Sequence, residues 1–412
     1  MNSIGTTPSS APSAASAASR IGRTLLALGV VLVMLATTGW SALPHDRFMD
    51  TPREAARAAW AADRSNGGPL PGPGSSASDV ARFFATLPLG DRLRLVTRHP
   101  LVVGNLDGVP IDLRYRANRR ALALAHRAEL RRTHDRRLTP SGLREAVRRT
   151  HRFAALQKVN RQVLAFDPTG GGRVAEVFGD LQSAERVSVV VPGVDTDVLS
   201  FEKSARRYTA TAGMASALYA AERAAAPNLR TAVIAWADYT APEGIGMDAA
   251  TGRLATDGAL RLESLLGALP DRSTTALFCH SYGSVVCGVA AHHLPARVTD
   301  LVVAGSPGMR TPSVTALRTQ ARVWAVRSAD DWIADVPYLM VGGLGHGADP
   351  VEPEFGARVL SAAGSHGHAG YFEPGTESVT NFARIGVGSF ESVSCAGAED
   401  TCRRGIYGPT GQ

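Results

Sequence analysis

Ser281 is the residue whose surroundings most suggest chemistry. It lies in the sequence CHSYGS over residues 279–284, after the apolar run Thr274 to Phe278 and before the small and apolar residues Val285 to Ala291. This pattern predicts a sharp turn from a buried strand into a helix. A serine hydroxyl is a weak nucleophile at neutral pH, and such a turn lifts it to where a histidine can take its proton. An isolated Ser-x-Gly is more often an ordinary strand end, so the assignment depends on the other groups.

Two acids and two histidines follow later predicted strands, in the chain order serine, acid, histidine of the α/β-hydrolase triad. They are Asp330 and Asp331 after Arg322 to Val326, and His366 and His368 after Ala357 to Leu360. Two histidines in an H-x-H pair could instead ligate a metal, but no further carboxylate or cysteine accompanies them. We therefore expect no metal and no cofactor.

The backbone N–H groups of Val194 and Tyr282 are candidates for an oxyanion hole. Val194 lies in a glycine-containing loop after an early predicted strand, and Tyr282 directly follows the candidate nucleophile. A glycine in such a loop also serves any tight turn. His280 and His346 are expected to be structural or to line the pocket.

The elements that must position these groups alternate between β-type and helical runs from about residue 174 onward. The predicted strands are Val187 to Val191, Thr231 to Trp236, Thr274 to Phe278, Thr299 to Ala304, Arg322 to Val326 and Ala357 to Leu360. Strands separated by helices build a mostly parallel sheet covered on both faces, here an α/β-hydrolase fold over residues 166–390. A helical N-terminal region over 79–165 and a tail over 391–412 flank it.

The N-terminus predicts export. Residues 1–23 are expected to be a disordered cytoplasmic tail, and Thr24 to Leu43 is an uncharged run preceded by Arg20 and Arg23. Twenty helical residues are about 30 Å long and can span a bilayer. The flanking arginines orient the rest of the chain outside. A cleaved signal peptide, giving a secreted protein, is the alternative, and residues 44–78 are expected to form a stalk.

The charge of the chain is unevenly distributed. The net charge is +7, which is modest for 412 residues, and no nucleic-acid-binding motif accompanies it. Thirteen arginines cluster between Arg114 and Arg152 on a helical pattern. This cluster is either a solvated helix face or a contact surface for anionic lipid or envelope polymer.

Four cysteines in an exported chain are possible disulfides. Cys395 and Cys402 are spaced to form a bridge in the tail. Cys279 and Cys287 flank the elbow, and there we expect a buried pair of free thiols rather than a bridge.

Several motifs together resemble an actinobacterial α/β-hydrolase family long filed as a domain of unknown function. Between about residues 80 and 388 the motifs are GNLDGVP at 104–110, VPGV at 191–194, HSYGS at 280–284, GSPG at 305–308, DWI at 331–333 and HAGY at 368–371. The resemblance implies a hydrolase, and it favours Asp331 over Asp330 as the acid and His368 over His366 as the base. Cys279, Trp332 and Ala369 replace the family's glycine, proline and serine.

These observations predict an exported serine hydrolase in which Ser281, His368 and Asp331 form the triad. The expected substrate is a small-molecule or lipid-like ester, with membrane attachment through the N-terminal segment and no nucleic acid partner. An acyltransferase with the same triad is one alternative. A non-catalytic envelope-binding module on the same scaffold is another. The sequence leaves the oligomeric state open.

Overall fold

The centre of the molecule is a β-sheet built from apolar, β-branched runs. The computed structural model describes residues 51–72, 74–397 and 400–406. Its strands are β1 (Gln162–Asp167), β2 (Arg173–Gly179), β3 (Arg186–Val191), β4 (Thr231–Ala237), β5 (Thr274–His280), β6 (Val298–Ala304), β7 (Arg322–Val326), β8 (Met340–Val341), β9 (Leu344–Gly345) and β10 (Arg358–Val359).

Eight of these strands form one sheet in the order β1-β2-β4-β3-β5-β6-β7-β10. Strand β2 is antiparallel to both neighbours, and the pairs from β4 to β10 are parallel. All seven residues of β4 are buried, as expected for a strand covered on both faces. The predicted, mostly parallel α/β-hydrolase sheet is confirmed, and the carboxyl ends of its parallel strands share one edge.

Strands β1 and β2 were not predicted. The predicted helical region, residues 79–165, includes the first four residues of β1. Nothing in the sequence marks the boundary, because the segment between the preceding helix and Gln162 contains no glycine or proline. A short apolar run beside a helical pattern does not reveal its own secondary structure.

In the described part of the chain, six helices precede the sheet. They are α1 (Pro52–Ala62), α2 (Ala77–Thr86), α3 (Leu89–Arg98), α4 (Pro100–Val103), α5 (Ile111–Arg132) and α6 (Pro140–Leu156). Helix α1 begins with a capping box between Thr51 and Glu54, and its Trp60 is only 1% exposed within an apolar cluster. The stalk predicted for residues 44–78 is therefore folded against the domain where the structure describes it.

Among the described residues, six more helices follow β1 along the chain. They are α7 (Thr211–Ala225), α8 (Met247–Ala250), α9 (Arg253–Gly267), α10 (Gly283–Ala290), α11 (Val314–Leu317) and α12 (Glu377–Val387). Helices α9 and α10 pack on one face of the sheet, and α7 and α12 pack on the other. These two apolar layers fix the strand ends from which the candidate site residues project.

The predicted membrane segment, residues 24–43, and the tail before it lie outside the described residues. Among the residues that are described, no helix is both long enough and apolar enough to cross a bilayer. At the other end of the chain, Cys395 and Cys402 form the expected disulfide. Cys395 also pairs with Leu360 in an isolated β-bridge, so this part of the tail is joined to the sheet edge.

Candidate active site

Ser281 occupies a sharp turn between β5, which ends at His280, and α10, which begins at Gly283. Its φ of +53° is in the left-handed region, which costs a residue with a side chain about 1–2 kcal/mol. Its N–H donates to the carbonyl oxygen of Ala304 on the neighbouring strand, at 2.9 Å. A strained conformation held this way places the hydroxyl at the carboxyl edge of the sheet.

Two glycines allow the chain to pass close to this turn. A Cβ at Gly283 would lie 2.3 Å from the carbonyl oxygen of Val191, so only glycine lets α10 start so near β3. A Cβ at Gly193 would lie 2.6 Å from the Cβ of Ser281 and 3.2 Å from the backbone nitrogen of Tyr282. The loop after β3 therefore lies directly against the candidate nucleophile.

The N–H groups of Val194 and Tyr282 both border this contact. Neither donates a hydrogen bond to another described residue. Tyr282 precedes the first residue of α10, where backbone N–H groups are free and the helix dipole favours negative charge. The Tyr239 hydroxyl donates to the carbonyl oxygen of Pro192 at 2.7 Å and thereby fixes the loop. The two unpaired donors belong to the residues that directly follow Gly193 and Ser281, and Gly193 and Ser281 are in contact.

His368 lies between the serine and an acid. Its Nε2 is 2.8 Å from Ser281 Oγ, and its Nδ1 is 2.9 Å from Asp331 Oδ1 and 3.1 Å from Oδ2. With Nδ1–H donating to the carboxylate, Nε2 is the nitrogen free to accept the serine proton. The structure thus brings together the three residues that the sequence singled out.

The Asp331 carboxylate is fully buried and well supplied with donors. Besides His368, the backbone N–H of Ile333 donates to it at 2.9 Å and the hydroxyl of Tyr371 donates to Oδ2. Burial alone raises the pKa of Asp331, but the hydrogen bonds from His368, Tyr371 and Ile333 outweigh it, and the pKa is lowered overall. The carboxylate therefore stays charged beside the imidazole.

Asp330 and His366 form a separate, solvent-exposed pair. Their closest atoms, His366 Nδ1 and Asp330 Oδ2, are 3.5 Å apart. Asp330 also accepts hydrogen bonds from Ser328 and from the backbone N–H of Gly367, and these lower its pKa to about 2. Its contacts tie the loop after β7 to the loop that carries His368, and neither residue contacts Ser281.

The other two histidines near the site have backbone partners. Nε2 of His280 is 2.6 Å from the carbonyl oxygen of His368 and donates to it. Burial, reinforced by the neighbouring His368, lowers the pKa of His280 to about 4, so its ring is neutral at physiological pH. Nε2 of His346 faces the carbonyl oxygen of Ala249 at 2.6 Å, and its ring lies edge-on to Tyr282.

Cys279 and Cys287 are joined by a disulfide, so the expectation of two free thiols was wrong. Cys279 is the penultimate residue of β5, and Cys287 faces it from the second turn of α10. Their Cα atoms are 6.6 Å apart, within the range that a disulfide spans. The sharp turn at Ser281 places two cysteines that are eight positions apart within bonding distance. The apolar residues around them give no sign of this proximity in the sequence.

Three further residues border the site and were not given a role from the sequence. Tyr371 contacts Asp331, and Gly305 has no side chain to occupy the space of these two residues. Trp332 lies against His368, with ring centroids 4.8 Å apart. A Cβ on Gly305 would lie 2.8 Å from Asp331 Oδ2. Each of the three belongs to one of the motifs named in the sequence analysis, and membership of a motif was the only indication in the sequence that they could matter.

Within the described part of the chain, no group of three or more histidine, cysteine or acidic side chains could hold a metal.

The fold and this site define the class: a chain with the α/β-hydrolase fold that carries a serine, histidine and aspartate at the carboxyl edge of its sheet. Residues 167–341 match the profile of an alpha/beta hydrolase family. The matched range is less than half of the chain. It includes Ser281 and Asp331 and ends before His368.

Relatives among curated proteins come from mycobacteria. The chain is 26% identical over 393 residues to the uncharacterized protein Rv2079 of Mycobacterium tuberculosis, an alignment covering 80% of this chain and 58% of that protein. It is 34% identical over 187 residues to the uncharacterized protein Rv0963c of the same species, covering 43% of this chain and 63% of the relative. The chain thus spans less than two thirds of the length of either relative.

Solved structures with a similar fold include an α/β serine hydrolase without lid from Xanthomonas campestris, at 13% identity and a TM-score of 0.34, covering 56% of this chain and 95% of that one. Another is a dienelactone hydrolase from Anabaena variabilis, at 16% identity and a TM-score of 0.34, covering 57% and 98%. Likenesses at this level carry no information about substrate.

Proposed function

We propose that the protein is a serine hydrolase that cleaves carboxylic esters through an acyl-enzyme on Ser281. The observation that carries the proposal is the position of His368, hydrogen-bonded through one ring nitrogen to Ser281 Oγ at 2.8 Å and through the other to Asp331 at 2.9 Å. A nucleophile, a base within hydrogen-bond reach and a group that orients the base are the three requirements of covalent acyl transfer.

The chemistry follows from this geometry. Ser281 Oγ attacks the ester carbonyl carbon while His368 Nε2 takes the hydroxyl proton, and the carbonyl π electrons move to oxygen. Donors from Val194 and Tyr282 stabilise that oxyanion. When the C–O bond to the alcohol breaks, His368 returns the proton to the leaving oxygen. Water then attacks the acyl-enzyme with the same proton transfers, and Asp331 stabilises the imidazolium in both halves.

An apolar rim beside the site supports an ester with a hydrocarbon group. We use the name apolar rim for Trp332 and the β8–β9 hairpin, in which four large apolar side chains are exposed. These are Leu339 at 41%, Met340 at 45%, Val341 at 69% and Leu344 at 41%. The hairpin is linked to Tyr282, the residue after the nucleophile, because Leu344 bridges to Thr251, whose carbonyl oxygen accepts from the Tyr282 hydroxyl at 3.0 Å. A group of exposed apolar side chains next to a few placed polar groups is typical of a ligand-binding surface.

Export of the catalytic domain is part of the same proposal. Both disulfides of the described chain support folding in an oxidising compartment, since such bonds are rare in the bacterial cytosol. The uncharged run at residues 24–43 would then attach the domain to the membrane or direct its secretion.

The test combines covalent labelling with turnover. A fluorophosphonate probe should label the wild-type protein at Ser281, and p-nitrophenyl esters with two to sixteen carbons in the acyl chain should be hydrolysed with a preference for longer chains. Ser281→Ala should abolish labelling and lower turnover by about 10³-fold or more. The matched control is Ser284→Ala, because the Ser284 hydroxyl donates to the carbonyl oxygen of Cys279 and not to the triad.

Two outcomes would reject the proposal or part of it. A folded protein that neither reacts with the probe nor turns over esters, thioesters or amides would be a non-catalytic binding module. The other outcome is labelling of Ser281 by the probe with no hydrolysis of the p-nitrophenyl esters in water. If adding an alcohol then makes the enzyme consume these esters, the protein is an acyltransferase.

A further inference from the structure

The helical hairpin formed by α5 and α6, here called the α5–α6 hairpin and comprising residues 111–156, holds an unusual share of the charge. It contains thirteen arginines and four acidic residues. This excess of nine positive charges is larger than the net charge of +7 of the whole chain, so the remaining residues are together net negative. The net positive charge of the protein therefore arises from this one structural unit.

Most of these arginines are not neutralised. Five of the thirteen form ion pairs, namely Arg114, Arg132, Arg137, Arg149 and Arg152. The other eight are exposed and form no ion pair with any residue that the structure describes. They are Arg116, Arg119, Arg120, Arg127, Arg131, Arg136, Arg144 and Arg148. A patch of unpaired cations on an otherwise slightly acidic protein is complementary to an anionic surface.

Exposed apolar side chains lie among the unpaired arginines. They are Leu124 at 43%, Leu130 at 46%, Leu143 at 39% and Val147 at 39%. At about 100° per residue, the exposed arginines and leucines of α5 fall within an arc of about 140°, and the exposed residues of the first half of α6 fall within a similar arc. Each helix therefore presents a face on which cations and apolar groups are mixed.

The hairpin is attached firmly to the rest of the domain. The buried Arg149 of α6 pairs with Glu129 of α5 and also donates to the carbonyl oxygen of Gly170, in the turn between β1 and β2, at 2.8 Å. Both helices thus keep their position without the exposed side chains. Substitutions on the exposed faces can therefore change binding without changing the fold.

We propose that the α5–α6 hairpin docks on an anionic lipid bilayer, with its unpaired arginines among the phosphate headgroups and its exposed leucines and valine at the edge of the acyl region. Cations mixed with aliphatic groups on a helix face are suited to a lipid surface, which offers both anionic charge and hydrocarbon. A single-stranded nucleic acid would need exposed aromatic platforms. The phenyl and phenol side chains of the hairpin do not provide them, because Phe153 is buried and Tyr115 is largely buried.

The first experiment measures vesicle binding of the full chain. Vesicles of phosphatidylcholine with 30% phosphatidylglycerol are compared with phosphatidylcholine alone. The test variant carries Arg127→Gln, Arg131→Gln, Arg144→Gln and Arg148→Gln. The charge-matched control carries Arg82→Gln, Arg94→Gln, Arg230→Gln and Arg253→Gln, four exposed arginines elsewhere on the surface. Both variants retain residues 24–43, so any contribution of that apolar run is common to them.

The second experiment places a reporter on the hairpin itself. All four native cysteines are in disulfides, so Leu143→Cys introduces a single reactive thiol for a polarity-sensitive nitrobenzoxadiazole dye. Leu260→Cys, on α9 and 64% exposed, provides the control position. The dye at position 143 should shift to the blue with phosphatidylglycerol vesicles and the dye at 260 should not.

The expected result is at least a tenfold loss of phosphatidylglycerol-dependent binding in the hairpin variant, with little loss in the control, and suppression of wild-type binding by 0.5 M salt. Equal losses in the two variants, or none in either, would overturn the proposal. Binding without a blue shift at position 143, together with equal affinity for soluble polyphosphate, would assign the hairpin to a polyanion and also overturn it. Circular dichroism and the Tm of each variant verify folding.

Discussion

The hydroxyl of Tyr371 donates a hydrogen bond to the carboxylate of Asp331, the same carboxylate that contacts the imidazole of His368. The phenol oxygen also accepts from the backbone N–H of Ser328 at 3.0 Å, so its own orientation is fixed. In the proposed mechanism Tyr371 is therefore a positioning residue, which holds the Asp331 carboxylate against His368 and does not contact Ser281.

Tyr371→Phe should lower kcat about tenfold or more and leave KM nearly unchanged. A hydrogen bond to a charged group contributes about 1.5–3 kcal/mol, and here it orients a carboxylate that does not touch substrate. Steady-state kinetics on a short p-nitrophenyl ester measure both constants. Tyr338→Phe is the control, because that hydroxyl donates to backbone carbonyl oxygens of Ser306 and Ile333 instead. Equal losses of kcat in the two variants would contradict the assignment.

Asp331→Asn should reduce turnover by about 10³- to 10⁴-fold, since the amide no longer stabilises the imidazolium or selects its tautomer. Asp330→Asn should reduce it less than tenfold, because that carboxylate is exposed and bonds to the loop rather than to His368. The two adjacent residues form a matched pair in the same assay. A mild effect at both positions would place the acid elsewhere.

Much of this site follows from residue type and order. The pattern of apolar residues predicts both the strand before Ser281 and the helix after it. The order of the groups along the chain then restricts the candidate acid and the candidate base to two short loops. The choice between adjacent candidates, Asp330 or Asp331 and His366 or His368, depends on which side chain faces inward at a loop. Local periodicity does not encode that direction, and only the quoted motifs favoured one member of each pair.

The features that sequence reasoning missed are non-local. Strand β2 runs antiparallel between β1 and β4, and its pairing depends on a partner more than fifty residues away. Trp60 is buried because α1 packs on helices that follow it in the chain, although its polar, proline-containing surroundings resemble a linker. The Cys279–Cys287 bond depends on how closely α10 approaches β5, which is a property of the elbow and not of the cysteines.

The two disulfides have sequence separations of 8 and 7, so they close loops of nearly equal length at very different places. Replacing either pair by alanine should remove about 2–3 kcal/mol of stability in the chain-entropy model. Only Cys279→Ala with Cys287→Ala should also lower turnover, by about tenfold or more, because that bond joins the strand and the helix that hold Ser281. Urea unfolding and ester hydrolysis of both double variants test this. Unchanged turnover in the elbow variant at full folding would contradict it.

Gly305→Ala should lower turnover at least about a hundredfold. The new Cβ would lie 2.8 Å from Asp331 Oδ2 and 3.2 Å from His368 Cε1, so the acid and the imidazole must both shift. Gly356→Ala is the control, because that glycine also has a positive φ but has no other atom within 4 Å of a built Cβ. In both variants an alanine must adopt a positive φ, which lowers the free energy of unfolding by about 1–2 kcal/mol. Only Gly305→Ala should also lose activity. Thermal unfolding separates the two effects.

Glu222 should make the protein less stable as the pH rises from about 4.5 to about 8. Its side chain is fully buried beside Ser188, and burial raises its pKa to about 8 from the ordinary value of 4.5 for a glutamate. Between those values the unfolded chain has lost the proton and the folded chain keeps it, so stability falls with rising pH. Glu222→Gln should flatten this dependence in urea unfolding at pH 5 and pH 8. A slope identical to that of the wild type would show that Glu222 does not contribute.

The candidate site has two parts that should tolerate substitution differently: a floor, which comprises the triad and the three glycines packed against it, and the apolar rim. Gly193, Gly283 and Gly305 admit no side chain, because each would place a Cβ within 3 Å of backbone or of a triad atom. Trp332 and the apolar side chains of the β8–β9 hairpin are exposed to solvent. In the proposed ester hydrolase, substrate preference can therefore change through substitutions at the rim while the floor stays fixed, and directed evolution of new ester specificities should draw its beneficial substitutions from the rim.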